Sequence, residues 1–196
     1  RIAYPGNWKL GPYRTDNQGG LGQPNASSTR PWNIAKFSEL FFVAAEAAVK
    51  GATTQPITGT YANDGTARGL INVIRARAGK WSWDHADDEA KVENLSNLMT
   101  AATPTTITIN YILAERSREY FGEGYRWYDL VRTQTWAQLA SSYTIGNGAN
   151  FSDHSVSTIN RTIPTSLYLR PIPQSQLDGL LMSADDKAAF QNPGYN

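Results

Sequence analysis

Four carboxylates and four arginines crowd one short stretch of this chain: Glu115, Arg116, Arg118, Glu119, Glu123, Arg126, Asp129 and Arg132. Two acids facing each other across a cleft can hydrolyse a glycosidic bond, one protonated as general acid and the other ionised. Glu115 with Glu123 or Asp129 would be the pair. The spacing argues against it. Glu115 and Glu119 are four apart, and Arg126, Asp129 and Arg132 follow at intervals of three, so partners share helical faces. Each acid has a basic neighbour within a helical turn, which favours the ionised form. The cluster therefore reads as a structural ion-pair network locking two antiparallel helices, and no residue is assigned a catalytic role.

The elements that must position these charges are legible around them. Residues 107–132 read as two helices broken at Gly122-Glu123-Gly124. Ile109, Ile112, Leu113, Arg116 and Tyr120 fall on one face of the first. Gly122 and Gly124 supply the permissive backbone of a tight turn.

Here a resemblance becomes specific. The run Glu115-Arg116, Glu119, Glu123-Gly124, Arg126, Asp129-Leu130, Arg132 resembles the signature of the SusD/RagB family, outer-membrane nutrient-binding lipoproteins of Bacteroidetes. Two further stretches agree, in the same order along the chain. Phe37-Ser38-Glu39-Leu40 through Ala48, followed by Leu70-Ile71-Asn72 and Ile74-Arg75-Ala76-Arg77-Ala78-Gly79, is similar to the family's helical pair. Leu169-Arg170-Pro171-Ile172-Pro173 and Gln191-Asn192-Pro193-Gly194-Tyr195 are similar to its C-terminal tail. Phe37, Ser38 and Arg170 depart from the usual residues without touching the central motif. The resemblance implies a mainly α fold of tetratricopeptide-like helical hairpins with long irregular loops, matching the C-terminal half of a SusD-like protein. It also implies oligosaccharide or other nutrient contact through aromatics, with or without calcium, and docking on a SusC-like TonB-dependent transporter. The expected location is the outer membrane, exposed at the cell surface. The lipid anchor this requires is absent from the chain, which suggests a fragment or processed product.

The totals narrow the alternatives. A chain of 196 residues supports one domain, and a net charge of +1 argues against nucleic acid, which wants a basic stripe. Without cysteine, disulfides and thiolate chemistry are excluded, and two histidines make a histidine-built metal site improbable. No cofactor or metal is expected; Asp87-Asp88-Glu89 lacks the spacing of an EF-hand loop. No run reaches membrane-spanning length.

A single domain is expected over 1–196, with a loop-rich lead-in (1–33), helical hairpins (34–140) and a loop-rich C-terminal segment (141–196). The lead-in is dense in glycine and proline and carries Tyr4, Trp8 and Tyr13. A helix over 34–50 would turn Phe37, Leu40, Phe41, Ala44, Ala45 and Ala48 inward. A second, capped by Asp64 and stopped at Gly79, would bury Leu70, Ile71 and Ile74. Asp87-Asp88-Glu89 would open a third, running to about Met99. Trp136–Ala140 continues the second arm of the central pair or forms another turn. Residues 141–163 read as loop-rich. Leu167–Ile172 reads as extended, and short helices are expected over 174–181 and 185–190.

Trp81 and Trp83 with Asp84, and Tyr143 further on, are the candidate ligand contacts. Indole and phenol faces stack on sugar rings while the carboxylate takes hydroxyl hydrogen bonds; helix-capping loops tucked onto the core would use the same residues. Three functions are compatible with these features: nutrient capture without catalysis, a helical scaffold that only docks a protein partner, and a glycosidase, the last opposed by the paired acids.

Overall fold

The computed structural model describes residues 33–80, 82–83, 92–145 and 156–195. The chain divides into two compact units, Arg1–Glu123 and Gly124–Asn196. It is mainly helical, with two small antiparallel hairpins among the described residues.

The first unit contains α1 (Ser38–Val49), α2 (Ala67–Gly79), α3 (Ser96–Ala101) and α4 (Ile109–Glu119). Helix α1 packs on α2 and α4, and α2 packs on α3. Phe41, Phe42 and Ala45 of α1, Leu70, Ile71 and Ile74 of α2, and Ile112 and Leu113 of α4 make the core. Burying each large side chain contributes roughly 1.5–3 kcal/mol. Leu70, Ile71 and Ile74 are the inward face that the spacing of α2 predicts.

Helix α1 departs from expectation. Its buried side is rotated toward Phe42 and Glu46, leaving Phe37 and Leu40 exposed. The cause is polar. The Ser38 hydroxyl lies 3.0 Å from the Tyr120 hydroxyl, and Glu39 accepts from the buried Arg116. Buried polar groups must be partnered, and those pairs fix the rotation of the helix. Phe37, Phe41 and Tyr61 cluster beside it, with ring centroids 5.3–5.8 Å apart.

Thr66, not Asp64, caps α2: its hydroxyl accepts from the Gly69 N–H at 3.0 Å. Asp64 braces that cap by accepting from both the backbone N–H and the hydroxyl of Thr66. Gly79 is the last helical residue, and its role is close approach. A Cβ there would lie 2.8 Å from the Leu95 carbonyl oxygen, while Leu95 N–H donates to the Gly79 carbonyl at 2.8 Å. The helix expected from Asp87 begins later, at Ser96. Strand β1 (Ser82–Trp83) pairs with β2 (Val92–Glu93), and Asn94 then accepts from the Ser96 N–H and hydroxyl, making the turn that opens α3. Arginines of α2 cover the other end of α3. Arg68 donates to the carbonyls of Thr100 and Thr103, and Arg75 to that of Met99, which suits cations at a helix C-terminus.

The second unit contains α5 (Tyr125–Arg132), α6 (Trp136–Ala140), β3 (Ser142–Ile145), β4 (Ser157–Asn160), α7 (Gln174–Asp178) and α8 (Ala184–Phe190). The break between α4 and α5 is where the glycines predict it, with φ of 74° at Gly122 and 83° at Gly124. The stretch over 141–163, expected as loop-rich, contains a hairpin in register from Ser142↔Asn160 to Ile145↔Ser157 that was not singled out. All four β3 residues are exposed, so the hairpin buries no face and writes no alternating pattern into the sequence. Instead of an extended stretch from Leu167, a 3₁₀ turn spans Thr165–Tyr168, and the chain extends from Leu169. Among the described residues no helix is long and apolar enough to cross a membrane.

Candidate functional site

The charged motif divides between the units. In the first, the acids and arginines of α4 find opposite charges on α1 and α2. Glu115 pairs with Arg75 of α2 and, at 2.6 Å, with Arg118 of its own helix. Glu119 pairs with Arg77 of α2, and Arg116 with Glu39 of α1 at 2.8 Å. Glu123 pairs with Lys36, just before α1. These bridges tie α4 to α1 and α2, contacts beyond those expected within 107–132. Spacing along one segment reveals which charges share a face, but not which distant helix faces them.

These contacts account for much of the second matching stretch in physical terms. Asn72 accepts from the buried Thr103 hydroxyl at 2.6 Å, Arg75 joins the end of α3 to Glu115, and Arg77 reaches Glu119. In the second unit, Asp129 is buried and Arg132 lies 3.6 Å from it. Arg126 is half-buried on α5.

The electrostatics oppose acid–base work at Glu115. Burial alone would raise its carboxyl. The hydrogen bond and charge of Arg118, the charge of Arg75 and the Tyr111 hydroxyl outweigh that and hold it below the ordinary glutamate value. Burial pushes the Tyr111 phenol up, helped by the Glu115 charge. Burial also pushes the Tyr120 phenol up; its ring lies against the Arg116 guanidinium, 5.3 Å from its centroid. An ionised, arginine-held carboxylate between helices cannot donate a proton to a leaving group.

Of the predicted ligand contacts, Trp81 and Asp84 lie outside the described residues, and Trp83 is described only as a strand residue paired with Val92. His85 and His154 also lie outside them, as do Asp87-Asp88-Glu89 and the lead-in aromatics. Tyr143 sits on β3 opposite Ile159, 44% exposed, with the Arg161 guanidinium 5.2 Å from its ring centroid. Among the described residues no group of three or more His, Cys, Asp or Glu is placed to hold a metal.

The second unit holds an aromatic run that residue spacing did not single out. Trp127 and Trp136 meet edge to face at 5.9 Å, and Trp136 and Tyr168 at 6.2 Å. The Arg170 guanidinium lies 4.1 Å from the Trp127 ring centroid. All three rings are half-buried. The only signal available was the arginine standing in an otherwise apolar Leu-x-Pro-Ile-Pro segment.

That segment is clamped by the chain's last residues. Gln191 accepts from the Ile172 N–H at 2.7 Å and donates to its carbonyl at 3.0 Å. Asn192 donates to the Arg170 carbonyl, and the Tyr195 hydroxyl lies 3.0 Å from the carbonyl oxygens of Ser166 and Leu169. Gly194, at φ 89°, lets the tail come against Ser166, where a Cβ would sit 2.5 Å from the serine's own Cβ. The two pieces of the tail motif are thus one clasp.

No curated protein matches the chain. The sequence model of the SusD family matches it from residue 13 to residue 195. Proteins of that family bind nutrients or glycans at the cell surface. The match embraces the buried ion pairs, the glycine turn and the tail clasp, and with nearly the whole length aligned the chain belongs to the SusD family.

Proposed function

We propose that the chain captures a glycan or other nutrient at the outer-membrane surface, without catalysis, and delivers it to a SusC-like TonB-dependent transporter. The observation that carries the non-catalytic part is the fate of the acids. Glu115, Glu119 and Glu123 are each bound to a basic side chain, and Glu115 is held ionised. A glycosidase needs one carboxyl kept protonated beside an open cleft.

Capture itself rests on family membership and on the supply of partly open aromatic rings. Trp81, Trp83, Asp84 and Tyr143 remain the proposed contacts from the sequence, and Trp127, Trp136 and Tyr168 join them. Isothermal calorimetry against a panel of polysaccharides tests capture: saturable heats with at least one glycan are expected, and none with any glycan or peptide contradicts it. Co-purification with the transporter tests delivery.

A second reading, a helical scaffold that only docks a protein partner, is favoured by one feature. The outer side of α1 exposes Phe37, Leu40 and Val43 together, an apolar strip of the kind proteins use for contact. Transporter binding that persists in a chain unable to bind any glycan would select this reading.

A further inference from the structure

Most arginines beside the charged motif are held by carboxylates, Arg132 of the second unit by Asp129 among them, but two arginines of that unit are not. In the first unit Arg75, Arg77, Arg116 and Arg118 each hold a carboxylate. In the second unit Arg161 and Arg170 lie over aromatic rings, and neither has a carboxylate partner among the described residues. Arg161 spends its Nε–H on the Ala140 carbonyl. Arg170 is exposed, and none of its five N–H donors is taken by a described residue. The backbone beneath it is not loose. Its carbonyl accepts from Asn192, and its neighbours Leu169 and Ile172 are held by Tyr195 and Gln191.

A guanidinium fixed on an indole face is a preorganised device. The ring restrains the rotamers that an exposed arginine otherwise samples, so less entropy is lost when the donors are used. The planar fork fits a carboxylate in two parallel hydrogen bonds. Two more half-buried rings lie alongside, Trp136 edge to face with Trp127 and Tyr168 with Trp136, and pyranose rings stack on aromatic rings of this kind. A neutral sugar would offer the fork only uncharged hydroxyl oxygens, without the charge-assisted, two-armed match. A sugar bearing a carboxylate would use both.

We propose that Trp127, Trp136, Tyr168 and Arg170 form a subsite for a uronic acid residue, and that this chain takes acidic glycans in preference to neutral ones. This rests on the reading of the chain as a glycan-capture protein and names the class of glycan. Arg170 is the specificity-determining residue; the Gln191–Tyr195 clasp is its support.

The test is calorimetric titration of the intact chain with three probes: an oligogalacturonate, its fully methyl-esterified counterpart, and a neutral panel including glucans and galactans. Methyl esterification keeps the ring and removes the charge. The oligogalacturonate should bind about tenfold or more tightly than the ester. Arg170→Gln should abolish that difference while leaving the circular dichroism spectrum unchanged. Lys187→Gln, which removes an equal charge from the same unit, should preserve it and so exclude diffuse attraction of a polyanion. Equal affinity for acid and ester, or a difference insensitive to Arg170→Gln, overturns the subsite while leaving glycan capture intact. Binding confined to the neutral panel does the same. Silence toward every glycan overturns the capture reading itself. If Arg170→Gln fails to fold, Trp136→Ala replaces it: weakened binding of the oligogalacturonate supports the subsite, and unchanged affinity overturns it.

Discussion

Arg116 on α4 reaches Glu39 on α1, seventy-seven residues earlier, with its Nη1 2.8 Å from Oε2. The same guanidinium lies against the rings of Phe42 and Tyr120, 5.5 and 5.3 Å from their centroids. It is 2% exposed, so its charge depends on the groups packed around it and not on water. With the Ser38–Tyr120 pair, this side chain fixes the rotation of α1 on α4.

Replacing Arg116 with alanine should therefore be severe. It removes packing on two aromatic rings and strands the Glu39 carboxylate, at a cost of about 3 kcal/mol or more. Glu39→Gln, at a more exposed position, should cost less, because the amide oxygen can still accept from Arg116. Urea unfolding of both variants checks the order.

Glu115 should make stability depend on acid. Its folded carboxyl titrates below the ordinary glutamate value. The stabilisation is therefore fully present above the unfolded value, near 4.3, and is lost as pH falls through the lower folded value. Melting temperatures of the native chain should fall across that window. Glu115→Gln should be less stable at neutral pH and should lose less stability on acidification.

Gly79 separates two accounts of one residue. Were it only a helix stop, alanine would be tolerated or would gain up to about 1 kcal/mol of helix propensity. The approach of Leu95 predicts the reverse: Gly79→Ala should lose about 1–3 kcal/mol as α3 is pushed off α2. The sign of the change in thermal stability decides.

Gln134 is the one described residue other than glycine with positive φ, at 57°, and it follows the end of α5. Its N–H donates to the Val131 carbonyl, closing the helix in the left-handed form that glycine favours. Gln134→Gly should stabilise the chain by about 1 kcal/mol, read as a raised melting temperature.

Much of this architecture was legible before any coordinates. The glycine turn, the inward face of α2 and the short helices α7 and α8 follow from local spacing and turn chemistry, which act within a few residues. What escaped is what depends on distant partners. The apolar stripe of α1 misled because Ser38 and Glu39 answer to Tyr120 and Arg116, far along the chain. The β3–β4 hairpin escaped because it is exposed, so no hydrophobic alternation marks it. Within the candidate site, Tyr143 was visible as an isolated aromatic. The Trp127–Arg170 stack was not, since its members lie on separate elements brought together by α6 and the C-terminal clasp.

The central claim is that this chain holds its ligand and leaves it unaltered. The most direct measurement incubates the full chain with the tightest-binding polysaccharide of the panel and analyses the glycan by size and reducing ends. Saturable binding is expected, with the polysaccharide recovered at its starting length. Shortened products that vanish in Glu123→Gln would contradict it.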